Sequence, residues 1–554
     1  MNKENTRHNG NDDINLGLKE NFLRKFSLMH PVFFASFPVL AFLSQNIQQI
    51  PFSQANRSLV FSILGALLLI LLFRVVFRDW YKGAALASII LILFFSYGHV
   101  YMMLKETRIA GILIGRHRFL LPLFVLLFLI GSWYVAKRIR NVVSLSKILV
   151  LVSLVSLISP VYTLIMYKAQ FFTKGDANSF EMVPLEDEAF SELKNKPDIY
   201  YIILDAYIRS DILREDFGYD NSYFLQQLRE RGFYVADQAT SNYSLTALSL
   251  TSSLNMKHLI DEFGAMKADD YPIAMIDSIA HSKVRNILEQ YGYTMVALAS
   301  SWQPTEIEDA DIYFRPQISE LDRYREAGRI NAFESIFIRT TAFLGLIDLS
   351  VRDGNPILKN LEAPYLAHHY WVLSQFEYLE QVPTLPGPKF VFAHIISPHH
   401  PYVFGPNGEI LTSTEAFTWA DGTGPRESVE TEMALYRDQT QYISSRTLEV
   451  IETILSRSER QPIIFLQADH GPGIRMYWNS PSNEALIERM SILSAFLLPE
   501  SCTDALYPSI TPVNSFAIMF QCAFGQRIEL KEDLNFFSPR GDPYQFTDVT
   551  NLVH

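Results

Sequence analysis

Five long apolar segments in the first third of this 554-residue chain constrain its fold more than any other feature. Each is close to the roughly 20 residues that an α-helix needs to cross the hydrocarbon core of a bilayer. Soluble domains rarely bury five such runs in succession, so we expect a membrane module of five helices. The segments are Ser27–Ile47, Leu59–Val76, Ala84–Leu104, Phe119–Ala136 and Ile148–Met166.

The distribution of Lys and Arg orients this module. With the N-terminus inside, the inner segments hold twelve Lys and Arg and the outer loops hold five. Positive loops stay in the cytoplasm, so an odd number of spans places the rest of the chain outside. We therefore expect a cytoplasmic segment at residues 1–26, the membrane module at 27–167, a linker at 168–196 and an extracytoplasmic domain at 197–554.

Charge separates the two halves. Residues 1–175 carry a net charge of +13, and the remainder carries −25. Nucleic-acid binding needs a basic surface, so the acidic outer half argues against a nucleic-acid partner. Both cysteines, Cys502 and Cys522, lie in this half, where an oxidising compartment would allow one disulfide. Two isolated buried thiols are the alternative.

The outer half alternates strand-like and helix-like segments. This alternation predicts a mainly parallel sheet covered by helices on both faces. The helix candidates are Asn221–Gly232 and Ser282–Gly292. The strand candidates are Ile199–Leu204, Thr294–Ala299, Phe390–Ile396, Ile463–Gln467 and Leu493–Leu498.

Two of these strands end in groups that bind metals. Asp205 directly follows the first strand, with Arg209 four residues later, and Asp469-His470 follows the strand at Ile463–Gln467. Open α/β sheets bind their ligands at the C-terminal ends of strands. With a Thr oxygen added, these groups form a mixed oxygen and nitrogen set that suits one divalent metal, Zn²⁺ or Mn²⁺.

Two further segments carry candidate chemistry. Residues 240–253 are rich in hydroxyls and precede an amphipathic run, which favours a helix N-terminus that can accept an anion. A Thr or Ser there could act as a nucleophile, and plain helix capping is the alternative. His399-His400 follows another buried strand on a proline-rich loop and could bind a metal or an oxyanion.

The order of these motifs resembles the alkaline phosphatase/sulfatase superfamily. With five preceding spans, the layout is most similar to lipoteichoic acid synthases and lipid A phosphoethanolamine transferases. The segment Thr246-Ala247-Leu248-Ser249 is similar to the Thr-Ala-x-Ser around the transferases' nucleophile. The resemblance therefore implies Thr246 as nucleophile and metal ligand, beside the metal ligands Asp205, Asp469 and His470. The fallback nucleophiles are Ser244, Ser249 and Thr251.

The resemblance also implies an activity. It predicts a phosphoryl-group transferase that moves a substituted phosphate from a membrane phospholipid to an envelope glycan or lipid. His399, with Arg209 in support, is expected to contact the phosphate, and His400 is the less favoured choice. The implied location is the bacterial cytoplasmic membrane. Two alternatives stay open: a phosphate- or sulfate-ester hydrolase of envelope polysaccharides, and a non-catalytic envelope scaffold. The Cys-x-Pro-Ser-Arg pattern of classical sulfatases does not occur, which disfavours their chemistry.

Overall fold

The computed structural model describes residues 20–47, 50, 52–173, 196–260, 273–316, 330–351, 361–413, 417–419 and 428–553. The chain divides into two compact units. The first comprises residues 1–170 and 330–361, and the second comprises residues 171–329 and 362–554. The expected N-terminal segment and most of the expected linker lie outside the described residues.

The α-helices of the described residues fall into both units. In chain order they are α1 (His30–Asn46), α2 (Phe52–Phe77), α3 (Trp80–Leu104), α4 (His117–Lys137), α5 (Val142–Thr173), α6 (Ser210–Glu215), α7 (Ser222–Glu230), α8 (Thr246–Asn255), α9 (Ile273–Ala280), α10 (Lys283–Gln290), α11 (Ala332–Arg339), α12 (Phe343–Val351), α13 (Ala363–Gln381), α14 (Val429–Arg457), α15 (Asn483–Met490), α16 (Pro512–Cys522) and α17 (Thr550–Val553).

The β-strands are shorter and lie mainly in the second unit. In chain order they are β1 (Arg108–Ile109), β2 (Ile112–Leu113), β3 (Ile199–Leu204), β4 (Tyr234–Val235), β5 (Thr294–Leu298), β6 (Ile312–Phe314), β7 (Lys389–Ile395), β8 (Ile463–Gln467), β9 (Ser494–Leu497), β10 (Phe536–Phe537) and β11 (Thr547–Asp548).

Within the described residues, five helices are long and apolar enough to cross a membrane, as the sequence predicted. The first continues from Glu20 to Asn46 in spite of Pro31 and Pro38. Pro31 lies in the first turn of α1, directly after a 3₁₀ turn at Ser27–Met29, and the first turn of an α-helix tolerates proline. Apolar side chains on the outer surface of the spans are largely exposed, which is the arrangement expected of a surface that faces lipid.

The first unit also contains a segment that the sequence had assigned to the outer domain. Residues 330–361, with α11 and α12, group with the membrane helices and not with the sheet. Helix α11 is rich in Phe and Ile and α12 is rich in Leu, so their composition suits such surroundings. The chain therefore passes from one unit to the other three times.

A seven-stranded sheet forms the centre of the second unit. Its strand order is β4-β9-β8-β3-β7-β5-β6, and β8, β3, β7, β5 and β6 run parallel to one another. Strand β9 pairs antiparallel with both β8 and β4. The predicted mainly parallel α/β sheet is thus confirmed. The sequence analysis did not predict the two short strands β4 and β6.

Helices pack on both faces of this sheet, as predicted. Successive residues of a strand point to opposite faces, and two tyrosines of β3 show the two layers. The Tyr201 ring packs 5.1 Å from Phe516 of α16, and its hydroxyl lies 3.1 Å from Ser253 of α8. Tyr200 points to the opposite face and lies beside Ser458, which follows α14. The central strands are therefore buried on both sides, which explains their continuous apolar sequences.

Cys502 and Cys522 are joined in a disulfide, with their Cα atoms 5.1 Å apart. Cys522 ends α16, and Cys502 lies in the short helical turn after β9. Of the two arrangements left open by the sequence, the structure therefore shows the bonded one.

Candidate functional site

Three neighbouring strands bring the candidate residues to one edge of the sheet. Asp205 follows β3, Asp469 lies two residues after β8, and both side chains are buried. Because β8 and β7 flank β3 in parallel, their C-terminal ends meet at this edge. The sequence prediction that these strand ends form one site is therefore realised in the fold.

His394 is a third member of this cluster, and the sequence analysis did not single it out. It lies inside β7, in register with Ile203 of β3, and is fully buried. Its Nε2 atom is 3.3 Å from Oδ2 of Asp205. The signal in the sequence was a single histidine within the otherwise apolar run Phe390–Ile396.

The cluster has the composition of a cation site. One ligand atom each from Asp205, His394 and Asp469 lies within 4.8 Å of the other two. Among the described residues, Oδ1 of Asp205, Nε2 of His394 and Oδ2 of Asp469 have no hydrogen-bond partner. Two buried carboxylates this close repel each other, and a divalent cation would compensate both charges. The donor set therefore fits a divalent metal that accepts oxygen and nitrogen ligands.

The surroundings of Asp205 favour its charged form. Burial raises the pKa of the Asp205 carboxyl, but His399, His394 and His470 together outweigh this effect. The pKa consequently lies well below the ordinary value of an aspartic acid. The carboxyl is therefore ionised at neutral pH, as a metal ligand must be.

Two hydrogen bonds hold Asp469 in place. The N–H of Ala206 donates to Oδ1 of Asp469 at 3.2 Å, and the backbone of Ala206 is left-handed, with φ at 66°. Such a φ is unusual for a residue with a Cβ and is found preferentially at functional sites. The hydroxyl of Ser241 donates to the carbonyl of Asp469 at 2.5 Å. Neither Ala206 nor Ser241 was predicted from the sequence.

His470 directs a ring nitrogen toward Thr246. Its Nδ1 lies 3.0 Å from the carbonyl oxygen of Gly471, which can only accept, so Nδ1 carries the hydrogen. The neutral ring then presents a lone pair at Nε2, which is 2.8 Å from Oγ1 of Thr246. The same Nε2 is 3.1 Å from Oδ2 of Asp469 and 3.8 Å from Oδ1 of Asp205. This lone pair can bind a cation or accept the proton of the Thr246 hydroxyl.

Thr246 is the first residue of α8 and is only partly buried. The helix cap is Leu245, which offers no side-chain hydrogen bond. The Thr246 hydroxyl contacts His470 instead of capping the helix, so the alternative reading of this segment as simple capping does not describe Thr246. The first N–H groups of an α-helix have no partner within the helix, so this end of α8 favours a negatively charged group.

The remaining predicted residues lie at different places. The backbone N–H of His399 donates to the Asp205 carbonyl at 3.0 Å, and its ring centre is 6.2 Å from that of His470. The Arg209 guanidinium makes two hydrogen bonds to Asp211, at 2.7 and 2.8 Å. The structure therefore brings His399 beside the cluster and pairs Arg209 with a carboxylate in the first turn of α6. Their roles toward a phosphate remain predictions.

Gly471 packs closely against the backbone of Glu488 next to the site. A Cβ atom on Gly471 would lie 1.9 Å from the carbonyl oxygen of Glu488, and the N–H of Gly471 donates to the carbonyl of Arg489 at 2.7 Å. Only glycine therefore fits after Asp469-His470. The Arg489 side chain, which is almost fully buried, donates to the carbonyls of Ser244 and Gly471 and so links the segment before Thr246 to the Asp-His-Gly loop.

The chain matches no protein-family model and no curated protein. Among solved structures it is similar to the C-terminal periplasmic domain of EcEptC from Escherichia coli, at 12% identity and a TM-score of 0.39, over 64% of this chain and 94% of that chain. It is also similar to lipooligosaccharide phosphoethanolamine transferase A from Neisseria meningitidis, at 12% identity and a TM-score of 0.36, over 90% and 95%.

A third similar structure is a putative sulfatase from Bacteroides thetaiotaomicron, at 11% identity and a TM-score of 0.37, over 61% of this chain and 73% of that chain. Phosphoethanolamine transferases and sulfatases are the groups that the sequence resemblance named. At these identities and TM-scores the likeness adds no weight to any residue assignment. The roles of the site residues are therefore inferred from their own geometry.

Proposed function

We propose that the protein is a metal-dependent phosphoryl-group transferase that acts outside the cytoplasm. Thr246 is its nucleophile, a membrane phospholipid its donor, and an envelope glycan or lipid its acceptor. The observation that carries this proposal is the pairing of Thr246 with His470, 2.8 Å apart, beside the buried cluster of Asp205, His394 and Asp469. A nucleophile within hydrogen-bond reach of a base is the arrangement that covalent catalysis requires.

The cation would be held by Asp205 and Asp469, with His394 as the nitrogen donor. Bound Zn²⁺ or Mn²⁺ supplies Lewis acidity, which lowers the pKa of a nearby hydroxyl and neutralises charge on a phosphoryl group. The sequence resemblance instead placed His470 and Thr246 among the ligands. We favour His394 because its Nε2 faces Asp205 and makes no hydrogen bond in the described part of the chain.

Thr246, His470 and His399 have different roles in the first chemical step. The Thr246 hydroxyl passes its proton to Nε2 of His470 as Oγ1 attacks the phosphorus. A new P–O bond forms to Thr246, and the P–O bond to the lipid alcohol breaks, so that the lipid leaves as an alcohol with a proton taken from water. His399, which lies beside the cluster, contacts the phosphoryl oxygens. The product is a phosphothreonine diester.

An acceptor hydroxyl then reverses the sequence. It gives up its proton to water and attacks the same phosphorus. The P–O bond to Thr246 breaks, and His470 returns its proton to Oγ1 of Thr246 to restore the hydroxyl. The membrane module contributes through concentration, because a site attached to the bilayer meets lipid donors at a high effective concentration.

The test is to trap the covalent intermediate. The purified full chain is incubated in detergent with a phospholipid that carries a labelled headgroup, then digested and analysed by mass spectrometry. We expect the labelled headgroup phosphate on Thr246 in the wild type and no label in the Thr246→Ala variant. A label on Ser249 or Thr251 would contradict the assignment of Thr246.

The fate of the label distinguishes the three candidate functions. Transfer to an added glycan or lipid acceptor supports the transferase. Release of the label into water in the presence of acceptor would indicate the hydrolase, and the absence of both bound metal and label would indicate the scaffold.

A further inference from the structure

The segment that leaves the outer half and packs in the membrane unit forms a helical hairpin. It consists of α11, a break at Thr340–Ala342, and α12. A capping box starts α11, in which Asn331 and Glu334 each accept from the other's backbone N–H. The start of the hairpin is therefore well defined.

The hairpin contacts one end of the helix bundle. Phe333 of α11 packs 5.3 Å from Phe42, near the C-terminal end of α1. Glu334 pairs with Arg57, near the start of α2, through hydrogen bonds of 2.5 and 3.0 Å. Successive spans alternate in direction, so the end of α1 and the start of α2 lie at the same side of the membrane. Lys and Arg place this side outside.

The other two contacts lie at the same end. Asp348 of α12 is 2.6 Å from Nε2 of His117, the first residue of α4, and Nδ1 of His117 is 2.7 Å from the Tyr97 hydroxyl of α3. The two carboxylates of the hairpin, Glu334 and Asp348, are thus paired with side chains of the spans, as charged groups near a hydrocarbon layer are expected to be.

The backbone between α11 and α12 forms hydrogen bonds with the backbone of α3. In an uninterrupted helix the N–H of Gly98 pairs with the carbonyl of Phe94. Here Gly98 donates to the carbonyl of Thr340 at 3.0 Å, and Phe94 accepts from the N–H of Ala342 at 2.9 Å. A Cβ on Gly98 would lie 2.4 Å from the carbonyl oxygen of Arg339, so glycine is needed for this approach.

These hydrogen bonds place the backbone at Thr340–Ala342 beside the interior of α3, before the C-terminal end of that span. Gly98 and Phe94 are six and ten residues before Leu104, which corresponds to about 9 and 15 Å along the helix axis. Non-helical backbone is tolerated at membrane depth where protein satisfies its polar groups, and α3 does so here.

Two apolar side chains of α12 are exposed. Phe343 is 47% exposed and Leu346 is 58% exposed, and their spacing of three residues puts them on the same face. Phe343 also packs 5.0 Å from Phe94, so this face continues the apolar surface of the spans.

We propose that α11 and α12 form a re-entrant hairpin within the outer leaflet, with Phe343 and Leu346 against lipid acyl chains. The partner surface is the bilayer itself, because the exposed face continues the lipid-facing side of α3. The hairpin thereby attaches the outer half to the membrane a second time, independently of the linker after α5. This inference does not depend on the catalytic assignment.

Spin labels measure whether Leu346 faces lipid. The two native cysteines are bonded to each other, so Leu346→Cys introduces a single free thiol into the full chain. Leu68 of α2, 67% exposed, is the lipid reference, and Tyr223 of α7, 68% exposed, is the water reference. Each variant is reconstituted in vesicles of phosphatidylethanolamine and phosphatidylglycerol, and collisions with oxygen and with a nickel chelate are measured.

We expect the oxygen-to-nickel ratio at position 346 to match that at position 68 and to exceed that at position 223 severalfold. A ratio equal to that at position 223 would overturn the proposal. The Gly98→Ala change tests the docking contact, since the added methyl group meets the backbone of Arg339. It should lower the ratio at position 346, whereas Gly65→Ala, whose methyl group meets nothing within 4 Å, should not. An unchanged ratio in Gly98→Ala would contradict docking through α3. Should that variant not fold, the comparison of positions 346, 68 and 223 still decides.

Discussion

Nε2 of His394 lies 3.3 Å from Oδ2 of Asp205, across the pairing of β7 with β3. The other ring nitrogen, Nδ1, is 2.9 Å from the hydroxyl of Thr305. If Nδ1 donates to Thr305, the lone pair at Nε2 faces a carboxylate oxygen, which is repulsive unless a cation lies between them. This arrangement makes His394 a stronger candidate for the nitrogen ligand than its position inside a strand would suggest.

The first prediction separates His394 from His470. We expect His394→Gln to lose the bound metal, because it removes the nitrogen that faces Asp205. His470→Gln should keep the metal and lose activity, because it removes the lone pair that faces Thr246. Metal content per protein, measured by plasma mass spectrometry on the purified chain, distinguishes the two variants. Loss of metal in His470→Gln alone would restore the ligand set implied by the sequence resemblance.

The second prediction concerns the Thr246 hydroxyl. Thr246→Ala should reduce turnover by roughly 10³-fold or more, which is typical of the loss of a nucleophile, with little change in the unfolding temperature. Thr246→Ser keeps a hydroxyl and should retain part of the activity. Thr251→Val is a matched control on the same helix, because Thr251 is fully buried and its hydroxyl has no hydrogen-bond partner among the described residues. Equal losses in Thr246→Ala and Thr251→Val would argue against Thr246 as nucleophile.

The strands of the site were predictable because their sequences carry local information. Ile199–Leu204 and Ile463–Gln467 are continuous apolar runs that end in acidic groups, and both form strands with these bounds. The strand order could not be predicted in this way, because the placement of β3 between β7 and β8 depends on contacts between distant parts of the chain. His394 was missed for this reason. Its role follows from the neighbouring strand and not from its own sequence surroundings.

The hairpin at α11 and α12 was missed for a related reason. Its two helices, of eight and nine residues, are too short to span a bilayer, so hydropathy gives no signal of a membrane segment. Pairing with Arg57, with His117 and with the backbone of Gly98 places them with the spans. In the sequence, each of these residues is an ordinary member of a span or loop, and nothing near it indicates its partner in the hairpin.

The third prediction tests why glycine follows Asp469-His470. Gly471→Ala puts a methyl group 1.9 Å from the carbonyl oxygen of Glu488, and backbone on both sides prevents an easy shift. We expect a loss of stability of about 3 kcal/mol or more, together with loss of metal binding, as the loop moves away. Thermal unfolding in detergent measures the first effect. Gly541→Ala, whose methyl group meets nothing within 4 Å, should leave the unfolding temperature unchanged, and an unaltered Gly471→Ala variant would refute the steric argument.

The fourth prediction is a pH dependence at Glu488, whose side chain is fully buried in α15. Burial raises the pKa of this carboxyl from 4.5 to about 7, although Arg475 and the N–H groups of Arg475 and Ile474 act in the opposite direction. Below pH 4.5 the group is protonated in both the folded and the unfolded chain and has no effect on stability. As the pH rises toward 7, the unfolded chain ionises first, so the folded state loses stability, and the loss is complete above about pH 7.

Glu488→Gln removes the charge and keeps an oxygen that can accept from the N–H of Ile474. It should therefore change stability little at pH 5 and raise it at pH 8 by up to about 3 kcal/mol, the free energy that corresponds to this pKa difference. The measurement is the unfolding temperature of both proteins at the two pH values. Glu484→Gln on the same helix is the control, because Glu484 is exposed and its pKa is lowered, so the sign of any effect is reversed. Equal differences between Glu488→Gln and the wild type at pH 5 and pH 8 would show that the buried carboxyl does not titrate in this range.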